Sequence, residues 1–141
     1  MCGACRIGPT CRNVAGAPVR QHTRYRRPGG LFKRGHQLEH LQSNHEGALI
    51  DRLHERDFDA AIVNAGGLTH TSVALRDALL GVARPFIEVH LSDPSKREAF
   101  RQVNFLRDIA VESIVGQGAR GYALALESLA RSPGPGVAKD G

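Results

Sequence analysis

The sequence predicts an α/β domain with a parallel β-sheet and helices on both of its faces. From Gln37 onward, short apolar runs alternate with segments whose apolar residues recur at helical spacing. Two of these runs, Ala60–Val63 and Pro85–Val89, are almost continuously apolar, as expected of strands that are buried on both faces. A chain of 141 residues is long enough to bury one core, so we expect a single domain.

The first predicted unit is a strand followed by a helix. The strand contains Leu38 and Leu41 and ends near Ser43. Ser43 and Glu46 have the spacing of a capping box, in which two side chains bind unpaired backbone N–H groups at a helix start. This pattern predicts a helix that opens at Ser43 and runs through Arg56.

The second unit begins with the apolar strand Ala60–Asn64. Thr71 or Ser72 is expected to cap the next helix, because either hydroxyl can accept a hydrogen bond from an N–H group of the first turn. Gly81 and Pro85 bracket the end of that helix.

Two further units complete the predicted sheet. The strand Phe86–Leu91 precedes Asp93 and Pro94, which suit the cap and first position of a helix extending to about Gln102. The last strand is Val111–Val115, and a glycine-containing turn leads from it into a final helix.

Polar residues stand at the ends of the two apolar strands. The segment Asn64–Ser72 ends one strand, and Glu88 and His90 end the other. Ligands of open α/β sheets bind at the carboxyl ends of the strands, so both segments belong to one candidate site. Residues two apart in a strand share a face, so Glu88 could orient the His90 imidazole or favour its charged form for acid–base catalysis. Alternatively, His90 is a solvated or core histidine.

Other residues near this site suit a small anionic ligand rich in hydroxyl groups. The helix N-terminus after the first polar segment favours a carboxylate. Asp77 could accept hydrogen bonds from hydroxyl groups or form an ion pair. Arg97 and Arg101 share a face of the predicted helix, where they could hold a carboxylate or form a solvated basic stripe. The imidazoles lack metal-ligand spacing, so no metal is expected.

These segments resemble the type II 3-dehydroquinate dehydratases. The similarity extends from about Leu31 to Leu129. It is carried by six blocks in the order of the family: Gln42–Gly47, Asn64–Ser72, Val73–Asp77, Ile87–Ser92, Arg97–Arg101 and Gly116–Tyr122.

The resemblance implies a flavodoxin-like three-layer sandwich that forms a homododecamer from trimers and needs no cofactor. It implies the dehydration of 3-dehydroquinate to 3-dehydroshikimate, an anti elimination through an enolate, in the shikimate pathway to chorismate and the aromatic amino acids. His90 matches the histidine that protonates the departing hydroxyl, and Asn64 matches the residue that positions a water at the enolate oxygen. The matched substrate contacts are His70, Asp77, Leu91 through its backbone, Ser92 and Arg101, with Glu88 and Arg97 in support.

The chain departs from this family near its start. The family has an apolar first strand, then Gly-Pro-Asn-Leu, then a mobile lid loop that supplies a tyrosine base and an arginine. Here Gly8 and Pro9 are followed by Thr10, and Tyr25 does not match the lid tyrosine. We therefore expect the first strand and lid loop to be disrupted and the activity of the chain to be impaired. The alternative is a non-catalytic relative that binds substrate but has lost the base.

Residues 1–30 form a basic head, residues 31–130 the dehydratase-like domain, and residues 131–141 a tail that we expect to be flexible. Residues 1–38 hold eight Lys and Arg and no acid, whereas residues 39–141 hold eleven basic and fourteen acidic side chains. Such a head could bind nucleic acid or be a disordered terminus. We expect no nucleic-acid partner, because no aromatic stacking platform accompanies the charges.

A frameshift in the coding sequence would explain the basic, cysteine- and proline-containing composition of the head. Degenerate codons for residues 14–30, read one nucleotide later, permit a string that begins Leu-Leu-Gly-Arg-Pro-Tyr-Gly and resembles a shortened lid loop. We hypothesise that the head is a frameshifted translation, which the coding DNA upstream of Leu31 would test.

The cysteines and the hydropathy pattern bear on the location of the protein. Cys2 and Cys5 have metal or redox spacing, but no second cysteine pair follows, so we expect no zinc site. No apolar run is long enough to cross a membrane, and no secretory signal is recognisable. We therefore expect reduced thiols, a cytoplasmic location and no membrane partner.

Overall fold

The structure is a computed structural model that describes residues 3–8, 12–16 and 37–131. The expectations for the lid-loop region, Tyr25, Cys2 and the tail beyond Arg131 lie outside these residues. The strands are β1 (Gly3–Gly8), β2 (Arg12–Gly16), β3 (Gln37–Gln42), β4 (Ala60–Asn64), β5 (Phe86–His90) and β6 (Glu112–Val115). The helices are α1 (Glu46–His54), α2 (Val73–Val82) and α3 (Arg120–Arg131), with short 3-10 turns at Gly66–His70, Pro94–Lys96 and Ala99–Gln102.

The six described strands form one sheet in the order β2-β3-β1-β4-β5-β6. Strands β4, β5 and β6 pair in parallel, as predicted for alternating strands and helices. Strand β1 lies between β3 and β4 and runs antiparallel to both. A strand thus lies between β3 and β4, but it runs antiparallel to both rather than parallel as in the predicted sheet. Its ladder provides partners for backbone groups of β3 and β4 that would otherwise lack them.

Helices cover both faces of the sheet, which confirms the predicted three-layer α/β fold. Helices α1 and α2 pack with one set of strand residues: Ala61, Val63 and Phe86. Helix α3 packs with the alternate set: Ala60, Ile62, Ile87, Val89 and Ile114. Because successive strand residues point to opposite faces, β4 and β5 are buried on both sides. No helix in the described ranges combines the length and apolar character needed to span a membrane.

The predicted capping box of α1 is wrong. The helix begins at Glu46 with His45 as its cap, and it ends at His54 rather than Arg56. The Ser43 hydroxyl accepts a hydrogen bond from the His45 N–H at 2.9 Å. Ser43 therefore stabilises the turn before the helix, a local use of serine that competes with capping.

The predicted helix after Asp93 is also wrong. The segment forms two short 3-10 turns separated by Arg97 and Glu98, and the backbone of Arg97 is extended at φ −118° and ψ −160°. Asp93 accepts hydrogen bonds from both the backbone N–H (3.0 Å) and the hydroxyl (2.7 Å) of Ser95. These local bonds satisfy the first turn without an α-helix. Consequently Arg97 and Arg101 do not share a helical face.

The cap of α2 is confirmed at Ser72. Its hydroxyl accepts a hydrogen bond from the Leu75 N–H at 2.8 Å, and Ser72 is buried. The helix continues through Gly81 to Val82 and is followed by Ala83 in the left-handed conformation, at φ 51°.

We expect Ser72→Ala to lower the free energy of unfolding by about 0.5–2 kcal/mol, because the buried N–H of Leu75 would lose its acceptor. Urea denaturation followed by circular dichroism measures the change. The matched control is Thr71→Ala, since Thr71 is exposed and its hydroxyl makes a long hydrogen bond, 3.4 Å, to the Gly67 carbonyl. Equal stability losses for the two variants would show that the Ser72 cap contributes nothing of its own.

Candidate active site

The carboxyl end of β5 holds a buried acid–imidazole pair. His90 Nε2 lies 2.8 Å from Glu88 Oε1, so the shared face predicted for these residues is confirmed. Glu88 is 0% and His90 6% exposed. A charged carboxylate at this depth needs compensating hydrogen bonds or charges.

Three other side chains compensate Glu88. Oε1 accepts hydrogen bonds from Thr69 Oγ1 at 3.1 Å and from Asn104 Nδ2 at 3.0 Å. Oε2 accepts from the same Asn104 nitrogen at 3.0 Å and from Ser113 Oγ at 2.9 Å. Burial, the largest single effect, raises the pKa of Glu88, but the hydrogen bonds and the charge of His90 outweigh it and leave the pKa below its ordinary value.

The ionised carboxylate determines which ring nitrogen of His90 holds a proton. A carboxylate only accepts hydrogen bonds, so Nε2 must donate to Glu88 Oε1. The second nitrogen, Nδ1, is then the one that can exchange a proton with a bound molecule. Glu88 also stabilises the positive charge that forms when Nδ1 is protonated. The pair can therefore perform general acid–base catalysis.

Asn64 lies at the end of β4 and at the same edge of the sheet. Its Nδ2 donates a hydrogen bond to the Tyr122 hydroxyl of α3 at 2.8 Å. In β4, Asn64 points to the same face of the sheet as Ile62, which packs on α3. In β5, His90 points to the same face as Phe86, which packs with α2. The two predicted catalytic side chains thus leave neighbouring strands on opposite faces.

The turn after β6 is joined to the end of β5. The N–H of Gly116 donates to the His90 carbonyl at 2.9 Å, and the N–H of Gly118 donates to the Leu91 carbonyl at 3.0 Å. Both glycines have positive φ, 73° and 53°, a conformation that favours residues without a Cβ. These bonds hold the exposed residues Leu91 and Ser92 at the edge where His90 lies.

His70 contacts the chain that follows the third 3-10 turn, Ala99–Gln102. Its Nδ1 lies 2.5 Å from the Val103 carbonyl oxygen, so this nitrogen carries the hydrogen. In the tautomer with its hydrogen on Nδ1, Nε2 is the nitrogen that can accept a hydrogen bond from a ligand hydroxyl.

An arginine fixes the same part of the chain to α2. Arg76 donates to both carboxylate oxygens of Asp108, at 2.5 and 2.7 Å, and to the Phe105 carbonyl at 2.5 Å. The Phe105 N–H also donates to the Thr69 carbonyl at 2.9 Å. The hydrogen bond from Arg76 holds the pKa of Asp108 below its ordinary value. Residues 103–108 are therefore held against the turn that precedes α2.

The residues predicted to bind the carboxylate and hydroxyl groups of a ligand are exposed or paired with a neighbouring acid. Arg101 Nε donates to Glu98 Oε2 at 2.6 Å, and Arg97 Nε lies 3.6 Å from the same oxygen. Asp77 is exposed on α2. A ligand carboxylate would compete with Glu98 for Arg101. Within the described ranges, no three His, Cys, Asp or Glu side chains are grouped so that they could hold a metal ion.

Comparison with known sequences identifies the family. The family profile described as "Dehydroquinase class II" matches residues 24–130. The chain belongs to the class II dehydroquinases. It is 59% identical over 97 residues to 3-dehydroquinate dehydratase 1 of Pseudomonas aeruginosa, an alignment that covers 67% of this chain and 66% of the relative. It is 56% identical over 96 residues to the catabolic 3-dehydroquinase of Phaeosphaeria nodorum, covering 67% of this chain and 63% of the relative.

Solved structures of the family have the same fold. The type II dehydroquinase from Butyrivibrio crossotus matches with a TM-score of 0.63 at 43% identity, covering 65% of this chain and 66% of that one. The enzyme from Propionibacterium acnes matches with a TM-score of 0.62 at 32% identity, covering 67% and 71%. The chain thus spans about two thirds of the length of these class II dehydroquinases.

Three residues that contact the site were not singled out as site residues from the sequence. Ser113 pairs with Glu88 across the parallel β5–β6 ladder, so the strand register would have indicated it. Tyr122 lies in a matched block, but nothing local links it to Asn64. Asn104 follows the segment that was wrongly predicted to form a helix up to about Gln102, and no sequence pattern indicates that it belongs to the site.

Proposed function

We propose that this chain dehydrates 3-dehydroquinate to 3-dehydroshikimate by an anti elimination through an enolate, in the shikimate pathway. The observation that carries the proposal is the buried Glu88–His90 pair at the carboxyl end of β5, in a chain that belongs to the class II dehydroquinases. The names of the relatives from Pseudomonas aeruginosa and Phaeosphaeria nodorum support the same reaction.

The chemistry explains why an imidazole is needed. The substrate is a β-hydroxy ketone, and removal of a proton from the carbon beside the carbonyl gives an enolate. As the enolate electrons form the new C=C bond, the β C–O bond breaks and the hydroxyl leaves. A proton from His90 Nδ1 converts that hydroxyl into water, while Glu88 keeps the ring oriented through Nε2. The new C=C bond of the product is conjugated with the ketone, so product formation can be followed by ultraviolet absorbance.

The other matched residues take supporting roles in this proposal. Asn64, held by Tyr122, positions a water at the enolate oxygen. His70 accepts a hydrogen bond from a substrate hydroxyl through Nε2. Arg101 exchanges Glu98 for the substrate carboxylate, assisted by Arg97. Three residues complete the substrate contacts: Asp77, the Leu91 backbone and Ser92.

The proposal includes a homododecamer and keeps the cytoplasmic location expected from the sequence. Several large apolar side chains are exposed on the isolated chain and would be buried in such an assembly: Val73, Leu80, Phe100 and Val111. Sedimentation velocity of the purified chain measures the assembly.

The decisive experiment measures both turnover and binding. Purified chain is mixed with 3-dehydroquinate, formation of the conjugated product is followed by ultraviolet absorbance, and binding is measured by calorimetry. Turnover supports the proposal. The reaction also needs a base for the proton beside the ketone, and Tyr25 lacks the sequence surroundings of the family's tyrosine base. Binding without turnover would therefore favour the non-catalytic alternative, and the absence of both would overturn substrate recognition itself.

A further inference from the structure

We propose that Asn104 is a positioning residue for His90 and that it acts through the Glu88 carboxylate. The inference rests on the proposed function, in which His90 donates a proton to the leaving hydroxyl. Asn104 lies after the third 3-10 turn, Ala99–Gln102, in a segment that no motif of the sequence distinguishes.

The orientation of the Asn104 amide is fixed at both ends. Its Oδ1 accepts hydrogen bonds from the N–H groups of Leu106 at 2.8 Å and Arg107 at 2.9 Å. Its Nδ2 lies 3.0 Å from each oxygen of Glu88. Exchange of the amide oxygen and nitrogen would place an acceptor against the carboxylate and a donor against two N–H groups. Only the observed orientation satisfies all four contacts.

Asn104 is the one described partner that contacts both oxygens of Glu88. Thr69 and His90 contact Oε1, and Ser113 contacts Oε2. The last torsion of a glutamate side chain is broad, so single contacts restrain the carboxylate plane weakly. A donor that holds both oxygens fixes the plane and keeps Oε1 directed at His90 Nε2.

The segment that carries Asn104 is itself anchored. The hydrogen bonds of Phe105 to Thr69 and of Arg76 to Asp108 stand on its C-terminal side. The His70 contact with the Val103 carbonyl stands on its N-terminal side. Asn104 is therefore presented to Glu88 from backbone that is held on both sides, as a positioning residue requires.

Two substitutions separate the effect of Asn104 on Glu88 from its hydrogen bonds to the Leu106 and Arg107 N–H groups. Asn104→Asp keeps an oxygen for the Leu106 and Arg107 N–H groups but places a second carboxyl group against Glu88. Two carboxyl groups in contact, one of them on the fully buried Glu88, cannot both stay ionised, so one proton is shared by the pair and the charge that faces His90 Nε2 changes. Asn104→Ala removes the donor and the cap together, and it serves as the second variant if the aspartate variant does not fold.

The readout is the pattern of ring 15N shifts of His90 in long-range 1H–15N spectra, assigned with His90→Gln. We expect neutral His90 in the parent chain to carry its hydrogen on Nε2, and both Asn104 variants to change this pattern. We also expect kcat to fall at least tenfold with KM within threefold. Ser128→Ala, which removes an exposed hydroxyl–carboxylate bond to Glu112, is the control and leaves the His90 signals in place.

Unchanged His90 shifts in a folded Asn104 variant would overturn the inference, whatever the activity. Changed shifts with reduced kcat support it. If the parent chain has no turnover, the proposed function fails, but the ring 15N shifts still decide whether Asn104 positions His90.

Discussion

His90→Gln is expected to lower kcat for dehydration by about two to four orders of magnitude, the usual contribution of a positioned general acid. Glutamine can still donate a hydrogen bond toward Glu88, so the buried carboxylate keeps a partner. It cannot release a proton to the leaving hydroxyl, which would then depart as hydroxide. The measurement is the initial rate of conjugated-product formation at saturating 3-dehydroquinate.

The control for this substitution is His54→Gln, at an exposed position near the end of α1. It removes one imidazole at a position remote in the sequence from the β5 pair and should leave kcat and KM within a factor of about two. KM of the His90 variant should change much less than kcat, because the lost interaction develops in the transition state. A His90 variant with the turnover of its parent would remove His90 from the mechanism.

The sequence was most informative where the relevant interaction is local. Alternation along one strand sufficed to place Glu88 and His90 together, since strand residues two apart always share a face. The Ser72 cap was predictable for the same reason, because its hydroxyl bonds an N–H only three residues away. Local patterns failed where a competing local bond was available, as at Ser43 and Asp93.

Non-local contacts were less accessible to the sequence. Whether Asn64 and His90 share a face depends on the β4–β5 register, in which Val63 pairs with Glu88, and no single segment encodes that register. The antiparallel pairing of β1 with β3 and β4 likewise joins segments that are distant in the sequence. Asn104 reaches Glu88 across 16 residues of chain, so it could be recognised only once the fold was known.

Glu88→Leu is expected to lower the free energy of unfolding by about 3–5 kcal/mol at neutral pH, the usual effect of removing one partner from a buried charged network. Leucine fills most of the space but accepts no hydrogen bond. Thr69, Asn104 and Ser113 would each retain a donor without its present acceptor. Urea denaturation measures the loss, and Asp51→Leu, an exposed α1 position, should change stability by only about 0.5 kcal/mol.

The difference in unfolding free energy between the parent chain and Glu88→Leu should depend on pH. The pKa of Glu88 in the folded protein lies below its ordinary value of 4.5, so ionisation of Glu88 favours the folded state. This contribution is fully present above the unfolded-state pKa and is lost as the pH falls through the folded-state pKa. The stability difference between the parent chain and Glu88→Leu should therefore be constant near neutrality and shrink below pH 4.5. A difference that stays constant on acidification would mean that Glu88 stabilises the fold by shape rather than by charge.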